Sequence, residues 1–316
     1  MELSLYCSST HFRAMVASTR RAARQCLTVE DFLEVPLPED GMINGIITDT
    51  PLMTSFFDMV VKQYGNTRGT VLSNVFRTAP AYMAIHNSNI QTRIIEIPRL
   101  APHRAQQLVE QEFGLFDDEE RRASLCDYAV LDPALASGGM ELLAVSVERA
   151  MVEAYRDALV EAGICLKGIN IGINCVVKLV RRIPALAGHT FLLSTVDHLA
   201  QTVSLFVNGS YRLMSRYRLL GALGSQEYYA ETAANINALV HSIKAQRGHA
   251  DVTRVVFSGV ATGALPFVAT ALAHHDLTVE PLDLTPFVRL APAVVEAGGF
   301  DPGAYVMNIG SLCGTG

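Results

Sequence analysis

The chain contains two regions in which short apolar runs are joined by tight turns, and these regions restrict the possible folds more than any other feature. In the first, the runs MELSLYC and HFRAMVAS flank the hydroxyl cluster Ser8–Ser9–Thr10. The second region, from residue 190, has three runs, and Asn208–Gly209 between the last two is a strong hairpin signal. Segments of helical periodicity follow both regions. The pattern predicts an α/β protein with two halves, each of which begins with β-hairpins.

A strand and a long helix are predicted after the first hairpin. The segment GMINGIITD is predicted to contain the strand, and Asp49 is the expected N-cap of the helix. Pro51 lies in the first helical turn, where a missing N–H group has no cost, and Gly65 is predicted to end the helix. The segment TVLSNV is predicted as the next strand.

Residues 91–165 have the order strand, helix, strand, strand, helix. The strands are predicted at QTRIIEIP, DYAVLD and ELLAVSV, and the first helix at APHRAQQLVEQEFG. The acidic segment FDDEE is predicted to be a solvated loop. Ser146 is the expected cap of the second helix, and Gly163 its end. This order predicts a small sheet with helices on one face.

The part of the chain after its second hairpin region alternates again between helix and strand. A helix is predicted over 226–245, followed by a strand at TRVVFSG, a helix, and a strand at LTVEPL. Pro292 is expected to break or kink any helix in its segment, because proline removes a hydrogen bond from the helix interior. AYVMNIGSLCGTG is predicted as a final helix.

Composition restricts the class of protein and its partners. Half of the 316 residues are hydrophobic, which is enough for a well-packed core and for two domains. A net charge of −6 provides no basic surface for binding nucleic acid. The most apolar stretch, FLLSTVDHLAQTVSLFV, is interrupted by Asp197 and His198, so no membrane-spanning helix is predicted and the expected location is the cytoplasm.

The spacing of the cysteines and of one histidine pair argues against a metal or redox site. The six cysteines lie far apart without a CxxC pair, and we interpret them as small buried residues in a reducing compartment. His274 and His275 are adjacent, and a helix directs neighbouring side chains about 100° apart, so we expect a solvated helix end there.

Eight segments, in order along nearly the whole chain, resemble the type IV pilus assembly protein PilM family. They are LPEDGMINGIITD, IEIPRLAPHRAQQLVEQEF, DYAVLD, ELLAVSVERAMVEAYRDALVEAGI, TVSLFVNG, RYRLLG, VVFSGVATGALP and NIGSL. Each segment alone is a weak signal, but their order matches that of the family. The resemblance implies a two-lobed actin-like fold, related to the division protein FtsA, with a small α+β module inserted in the first lobe.

The same resemblance implies a domain division. Residues 1–90 and 163–188 would form the first lobe, residues 91–162 the inserted module, and residues 189–316 the second lobe, with a helical insertion near 222–250.

The resemblance also implies partners and a location. Members of the family act beneath the inner membrane, where they bind the short cytoplasmic tail of PilN, a bitopic pilus protein. Pilus motor ATPases and a second copy of the chain are further implied partners. The tail is expected in a groove beside the module, along a strand edge formed by Arg93, Ile94, Ile95, Glu96 and Ile97.

Actin-like ATPases hold the phosphates of ATP between two hairpin loops, and the first of these loops is altered here. Each loop normally provides an acid that positions a metal-bound water, and a glycine that lets backbone N–H groups approach the phosphate. The family's first loop is D-I-G-S-S, whereas this chain has Leu5 in place of the acid and Cys7 in place of the glycine. Ser8–Ser9–Thr10 remains, with Arg13 as the basic residue; without the resemblance, this cluster is an ordinary turn.

The second loop and two further nucleotide-binding elements are also altered. Counted back from Thr202, the family's D-I-G-A loop has Thr195 in the acid position and Asp197 in the glycine position. An alternative register gives Asp197 the role of the acid. Gly221–Ala222 and Ser258–Gly259–Val260 each keep one glycine of a usual pair.

Two functional hypotheses follow from these residues. In the first, the protein is a scaffold that binds a PilN-like tail and has a degenerate ATPase site, with no catalytic residue, cofactor or metal. In the second, it is an ATP-binding switch or weak ATPase that uses Mg-ATP, with Asp197 and Arg13 replacing the standard acid and base. A filament-forming protein of the FtsA type is a third interpretation.

Overall fold

The computed structural model describes residues 1–19, 26–68, 75–245 and 251–314. Its strands, in chain order, are β1 (Glu2–Cys7), β2 (His11–Thr19), β3 (Leu27–Pro36), β4 (Met42–Ile43), β5 (Ile46–Ile47), β6 (Ala81–Ile85), β7 (Gln91–Pro98), β8 (Ser124–Asp132), β9 (Gly139–Glu148), β10 (Leu166–Ile171), β11 (Phe191–Asp197), β12 (Ala200–Val207), β13 (Ser210–Arg218), β14 (Arg254–Ser258), β15 (Thr278–Pro281) and β16 (Val288–Leu290). Its helices include α1 (Thr50–Arg68), α2 (Pro102–Glu112), α3 (Asp118–Ala123), α4 (Arg149–Glu161), α5 (Gly172–Val180), α6 (Gln226–Ala245), α7 (Leu265–Leu272), α8 (Pro292–Ala297) and α9 (Val306–Leu312).

The chain divides into two compact units. The first unit comprises Met1–Pro36, Tyr82–Ala84 and Cys175–Gly316, and the second comprises Leu37–Ala81 and Ile85–Asn174. The predicted lobe boundaries at residues 90, 162 and 188 stay predictions. Within the described part of the chain, no helix is both long enough and apolar enough to cross a membrane.

The first unit contains the predicted opening hairpin. Strands β1 and β2 are antiparallel, β3 continues the meander, and the sheet runs through β6, β1, β2, β3 and β16 in that order. Helix α9, which is buried along its whole length, packs on β1 and β2. Its Asn308 donates hydrogen bonds to the carbonyl oxygens of Ser4 (3.1 Å) and Arg13 (3.3 Å), so a polar contact fixes the helix on the hairpin.

A second sheet of the same unit contains the second predicted hairpin region. Its strand order is β13, β12, β11, β14, β15, and the turn between β12 and β13 has positive φ at Asn208 (52°) and Gly209 (77°), as the sequence predicts. Helices α6 and α7 cover one face with a core that includes Ile236, Val240 and Val268. Burial of these side chains, at about 25 cal/mol per Å² of apolar surface, is the main stabilisation of this layer.

The second unit contains the small module, and its order of elements follows the prediction. Strands β7, β9 and β8 form an antiparallel sheet in that spatial order, so β7 and β8 are its edges. Helix α2 packs on one face, where Ala105 and Val109 contact Leu142 and Ala144. Elsewhere in this unit, the side chain of Asp49 accepts a hydrogen bond from the N–H of Leu52 (2.8 Å), which confirms the predicted cap of α1.

Four local predictions need correction. Helix α1 continues past Gly65 to Arg68. Ser146 lies within β9, which extends to Glu148, and α4 begins without a side-chain cap. The acidic segment forms the start of α3, where Asp117 and Glu120 make a reciprocal capping box. Pro292 is the first residue of α8 and does not break or kink the helix, because the N–H group of the first helical residue needs no partner.

The sequence analysis did not predict several short elements, which include β6, β10, α5 and β16. The predicted strand TVLSNV falls outside the described residues except for Val75, which is helical. The side chain of His274 also lies outside them. His275 is half-buried, and its ring contacts that of His241 with centroids 4.9 Å apart.

Candidate functional sites in the hairpins and the module

The turn of the first hairpin is closed by its own hydrogen bonds. The hydroxyl of Ser8 accepts from the N–H groups of Thr10 (3.2 Å) and His11 (2.8 Å), while the N–H of Ser8 donates to the carbonyl oxygen of His11 (2.8 Å). Ser9 Oγ has no hydrogen-bond partner among the described residues. The N–H groups of Thr10 and His11, which a phosphate loop would direct at its ligand, are therefore already bonded within the turn.

The strand before this turn carries apolar side chains at both altered positions. Leu5 is fully buried and Cys7 is 2% exposed. Burial raises the pKa of the Cys7 thiol far above its usual range, so the side chain stays neutral. Neither residue can position a metal-bound water.

Arg13 on β2 is a buried cation, 3% exposed, and every one of its side-chain nitrogens is hydrogen-bonded. Its Nη1 donates to Asp197 Oδ1 (2.9 Å) and to the carbonyl oxygen of Ala304 (3.0 Å). Its Nε and Nη2 both donate to Glu34 Oε1, at 3.1 and 2.9 Å. Nη2 also lies 3.0 Å from His198 Nε2. The guanidinium therefore joins β2 to three other segments of the first unit.

Asp197, at the end of β11, connects the two predicted hairpin loops. Its Oδ1 accepts from Arg13, and its Oδ2 accepts from the hydroxyl of Tyr6 on β1 (2.9 Å). His198 begins the turn after Asp197 with a positive φ of 49°, and its carbonyl oxygen accepts from Tyr228 (2.8 Å). The carboxylate of Asp197 thus bonds to both strands of the first hairpin.

Burial and neighbouring charges shift the pKa values of Arg13, Glu34 and Tyr6. Burial lowers the pKa of Arg13, but Asp197 and Glu34 outweigh burial and raise it. Burial raises the pKa of Glu34, but Arg13 and the hydrogen bond with His198 together outweigh burial and lower the pKa below its usual value. For Tyr6, burial raises the pKa and the charge of Asp197 raises it further. The ion pairs of Arg13 are therefore formed at neutral pH, and Tyr6 is a hydrogen-bond donor.

Two histidines lie beside Arg13. The rings of His11 and His198 are stacked, with centroids 4.2 Å apart and planes inclined by 15°. The Nδ1 atom of His11 is 2.9 Å from Thr10 Oγ1, and Nε2 of His198 is 3.2 Å from Glu34 Oε1. Burial lowers the pKa of His11, and the neighbouring His198 lowers it further.

The remaining predicted nucleotide-site residues lie close to the second hairpin or to α6. Thr202 pairs with Thr195 in the β11–β12 ladder. The N–H of Gly221 donates to Glu231 (3.2 Å). Ser258 donates through its hydroxyl to the carbonyl oxygen of Gly303 (2.6 Å).

Gly259, the last of the predicted nucleotide-site residues, has a positive φ of 75° and packs directly against the backbone of Val196. Sequence reasoning found Arg13 and Asp197 but missed Tyr6, His11, Glu34 and His198, since nothing in their local sequence marks them as partners.

The module has a cavity of about 300 Å³ along β8, on the sheet face opposite α2. Strand β8 is an edge of its sheet. The cavity is lined mainly by apolar side chains, and its polar lining includes Asp127, Asn170 and Asn174. The lining residues are Leu125, Cys126, Asp127, Tyr128, Ala129, Leu143, Val145, Val147, Val152, Ile169, Asn170, Ile171 and Asn174. We call this cavity the β8 groove.

Strand β7, at the opposite edge, was the predicted position of a peptide groove. Ile95 and Ile97 pack beneath α2 in the core of the module. Arg93 forms an ion pair with Glu112 (2.9 Å), and its guanidinium lies over the ring of Phe113. Ile94 alternates with these residues along the strand and pairs with Leu143.

A second cavity, of about 330 Å³, lies at the end of β7, and Glu96, Ile97 and Pro98 contribute to its lining. This second cavity contacts only the last residues of β7, whereas the β8 groove follows five residues of β8. The more extended apolar surface of the module therefore lies along β8.

Comparison with known proteins identifies the fold. No protein-family model matches the sequence, and no curated protein matches it. The structure is similar to that of a PilM–PilN type IV pilus biogenesis complex, with a TM-score of 0.71 and 13% identity over 99% of this chain and 96% of that chain. It is also similar to a protein of unknown function with an actin-like ATPase fold from Bacteroides thetaiotaomicron, with a TM-score of 0.51 and 10% identity over 91% of this chain and 92% of that chain. The resemblance inferred from the sequence is confirmed for the fold, which is actin-like with an inserted α+β module.

Proposed function

We propose that the protein is an assembly scaffold of a type IV pilus or a related secretion machine, and that it binds a short cytoplasmic tail of a PilN-like membrane protein in the β8 groove. The observation that carries the proposal is an apolar groove along an edge strand, in a chain whose fold matches that of a PilM–PilN complex. The partner would hold the scaffold at the inner face of the cell membrane.

The chemistry of the groove favours an extended peptide. An edge strand presents backbone groups that no neighbouring strand pairs, and an added strand can bond to them while alternate side chains enter pockets. On β8 the carbonyl oxygen of Cys126 accepts from Gln106 (2.9 Å) and the N–H of Tyr128 donates to Asp127 (2.8 Å), so an added strand would replace these two side-chain contacts.

The face of β8 that presents Leu125 and Ala129 is apolar, as are Ile169 and Ile171 across the cavity, and Asp127 adds one carboxylate. The expected ligand is a segment with apolar side chains at alternate positions.

The test is a titration of the purified protein with a synthetic peptide that has the sequence of the N-terminal tail of the adjacent bitopic pilus protein. Binding measured by calorimetry should be lost or weakened at least about tenfold by Ala129→Arg, since the long charged side chain would fill the groove. Val130→Arg is the matched control, because Val130 is the next residue of the same strand, is 38% exposed and is not part of the groove lining.

Two results would contradict this function. One is the absence of binding at hundreds of micromolar peptide, a concentration well above the range expected for a specific peptide complex. The other is equal affinity of the Ala129→Arg and Val130→Arg variants, which would remove the β8 groove from the binding surface.

The second part of the proposal is that the protein does not hydrolyse ATP. Arg13 and Asp197 neutralise each other between the loops that hold phosphates in actin-like ATPases, and Ser8 occupies the N–H groups of the first loop. A phosphate would have to break these bonds before making its own. The alternative, an ATP-dependent switch that uses Asp197 as the acid, requires that carboxylate to leave both Arg13 and Tyr6.

Calorimetric titration with Mg-ATP, together with a phosphate-release assay, separates the two alternatives. We expect neither binding heat at millimolar nucleotide nor phosphate release. Hydrolysis that disappears in the Asp197→Ala variant would instead establish the active switch.

A further inference from the structure

We propose that His11, His198 and Glu34 bind a divalent transition-metal ion, with Zn²⁺ as the best-fitting candidate. One ring nitrogen of each histidine and one carboxylate oxygen of Glu34 all lie within 4.8 Å of one another. The three residues come from the start of β2, from β3 and from the turn between β11 and β12, so the fold brings them together from distant parts of the first unit.

The donor types select the class of metal. Two imidazoles and one carboxylate are characteristic of zinc sites that keep a position for water, whereas Mg²⁺ and Ca²⁺ prefer sites built from oxygen. His11 and His198 are half-buried and Glu34 is partly exposed, so water can reach a fourth coordination position. The arrangement therefore fits an open site with three protein ligands.

His11 and Glu34 each offer an atom that is free to bind. The Nδ1 atom of His11 is bonded to Thr10 Oγ1, and its Nε2 has no hydrogen bond within the described residues. When Nδ1 donates to Thr10, the lone pair is on Nε2, which is the form of histidine that binds metals. Glu34 uses Oε1 for its contacts with Arg13 and His198, while Oε2 has no partner in the described part of the chain.

The neighbouring Arg13 restricts the site but does not prevent binding. The charges of Arg13, Glu34 and Asp197 sum to −1, so a divalent ion would bring the cluster to +1. A metal at His198 Nε2 would replace the contacts of that atom with Arg13 Nη2 and Glu34 Oε1, while Arg13 Nη1 would keep its bonds to Asp197 and Ala304. Tetrahedral ligands of zinc are about 3.3 Å apart, so ligand atoms that lie up to 4.8 Å apart must approach by up to about 1.5 Å. The stacked rings of His11 and His198 must also turn, because a metal binds in the plane of each imidazole.

The experiment is calorimetric titration of the chelator-treated full chain with ZnCl₂. We expect one equivalent to bind with a dissociation constant of micromolar or lower. His198→Asn should weaken binding at least about tenfold, because it removes one of three ligands. Asparagine is chosen because it tolerates the positive φ of His198. His103→Asn, at an exposed histidine of α2, is the control and should bind as tightly as the unmodified chain.

A second readout identifies the ligands directly. Co²⁺ in place of Zn²⁺ should give the visible absorption of a tetrahedral site, and this absorption should be absent in His11→Asn and His198→Asn. Both variants are compared with the unmodified chain by thermal unfolding in EDTA, so that loss of fold is not mistaken for loss of a ligand. Absence of stoichiometric Zn²⁺ binding, or equal affinity of the His198 and His103 variants, would overturn the proposal. Binding of the peptide in the β8 groove is a separate measurement and is unaffected by either outcome.

Discussion

At the scale of single residues, Arg13 is the residue that joins the two hairpin regions of the first unit. The fold can bury a guanidinium that is 3% exposed because carboxylates and a carbonyl oxygen surround it and offset the cost of removing its charge from water. Sequence reasoning singled out both Arg13 and Asp197 without pairing them, since 184 residues separate them. Glu34 was missed for a related reason. It lies on the next strand of the meander, and only the register of β2 with β3 places it opposite Arg13.

Replacing Arg13 should be strongly destabilising. In Arg13→Met the carboxylates of Asp197 and Glu34 lose their shared cation, and removing one partner of a largely buried ion pair costs about 2–4 kcal/mol. Arg93→Met is the comparison, because its ion pair with Glu112 is about half exposed on both sides and should contribute less than about 1 kcal/mol. Urea unfolding followed by circular dichroism measures both, and equal effects would mean that the Arg13 cluster stabilises the fold no more than the exposed Arg93–Glu112 pair does.

At the scale of elements, the sequence predicts hairpins and long helices well and short strands poorly. The turn at Asn208–Gly209 and helix α6 have local signals, so both were found. Strand β16 has only three residues and pairs in parallel with β3, far away in the sequence, so no local pattern marks it. Ser146 was misassigned because β9 continues for two residues beyond it, and a serine at the end of a strand resembles a helix cap.

The connection after β14 should tolerate no side chain at Gly259. Its φ is positive, and an added Cβ would overlap the carbonyl oxygen of Val196, so we expect Gly259→Ala to destabilise by at least about 3 kcal/mol. Gly138→Ala is the matched control, because Gly138 also has a positive φ but no atom near its added Cβ. That change should cost only about 1 kcal/mol, the backbone strain alone. A similar loss of stability in both variants, measured by thermal unfolding, would show that the contact with Val196 is easily relieved.

At the scale of the whole molecule, the six cysteines are distributed over both units and divide into two classes. Cys7, Cys175 and Cys313 are buried, whereas Cys26, Cys126 and Cys165 are partly exposed. The interpretation of the cysteines as small buried residues therefore describes half of them. Spacing alone could not separate the classes, because exposure depends on which strand or helix face each residue occupies.

These classes predict the reactivity of the thiols. Burial raises the pKa of Cys175 to about 12 and that of Cys313 to about 11, and the thiolate is the reactive form. Because a raised pKa keeps the thiol protonated until the pH approaches that value, at most three cysteines should react with iodoacetamide in the folded protein at pH 8. All six should react in denaturant. Mass spectrometry of labelled peptides gives the count, and rapid labelling of Cys7, Cys175 or Cys313 under native conditions would contradict the assignment.

The burial of Leu5 also limits which substitutions this position accepts. Its side chain is fully buried in β1, opposite Ala14, so Leu5→Asp would place an unpaired carboxylate in the core. The single change reduces stability unless neighbouring core residues change with it. Selection acting one mutation at a time therefore opposes an acid at this position.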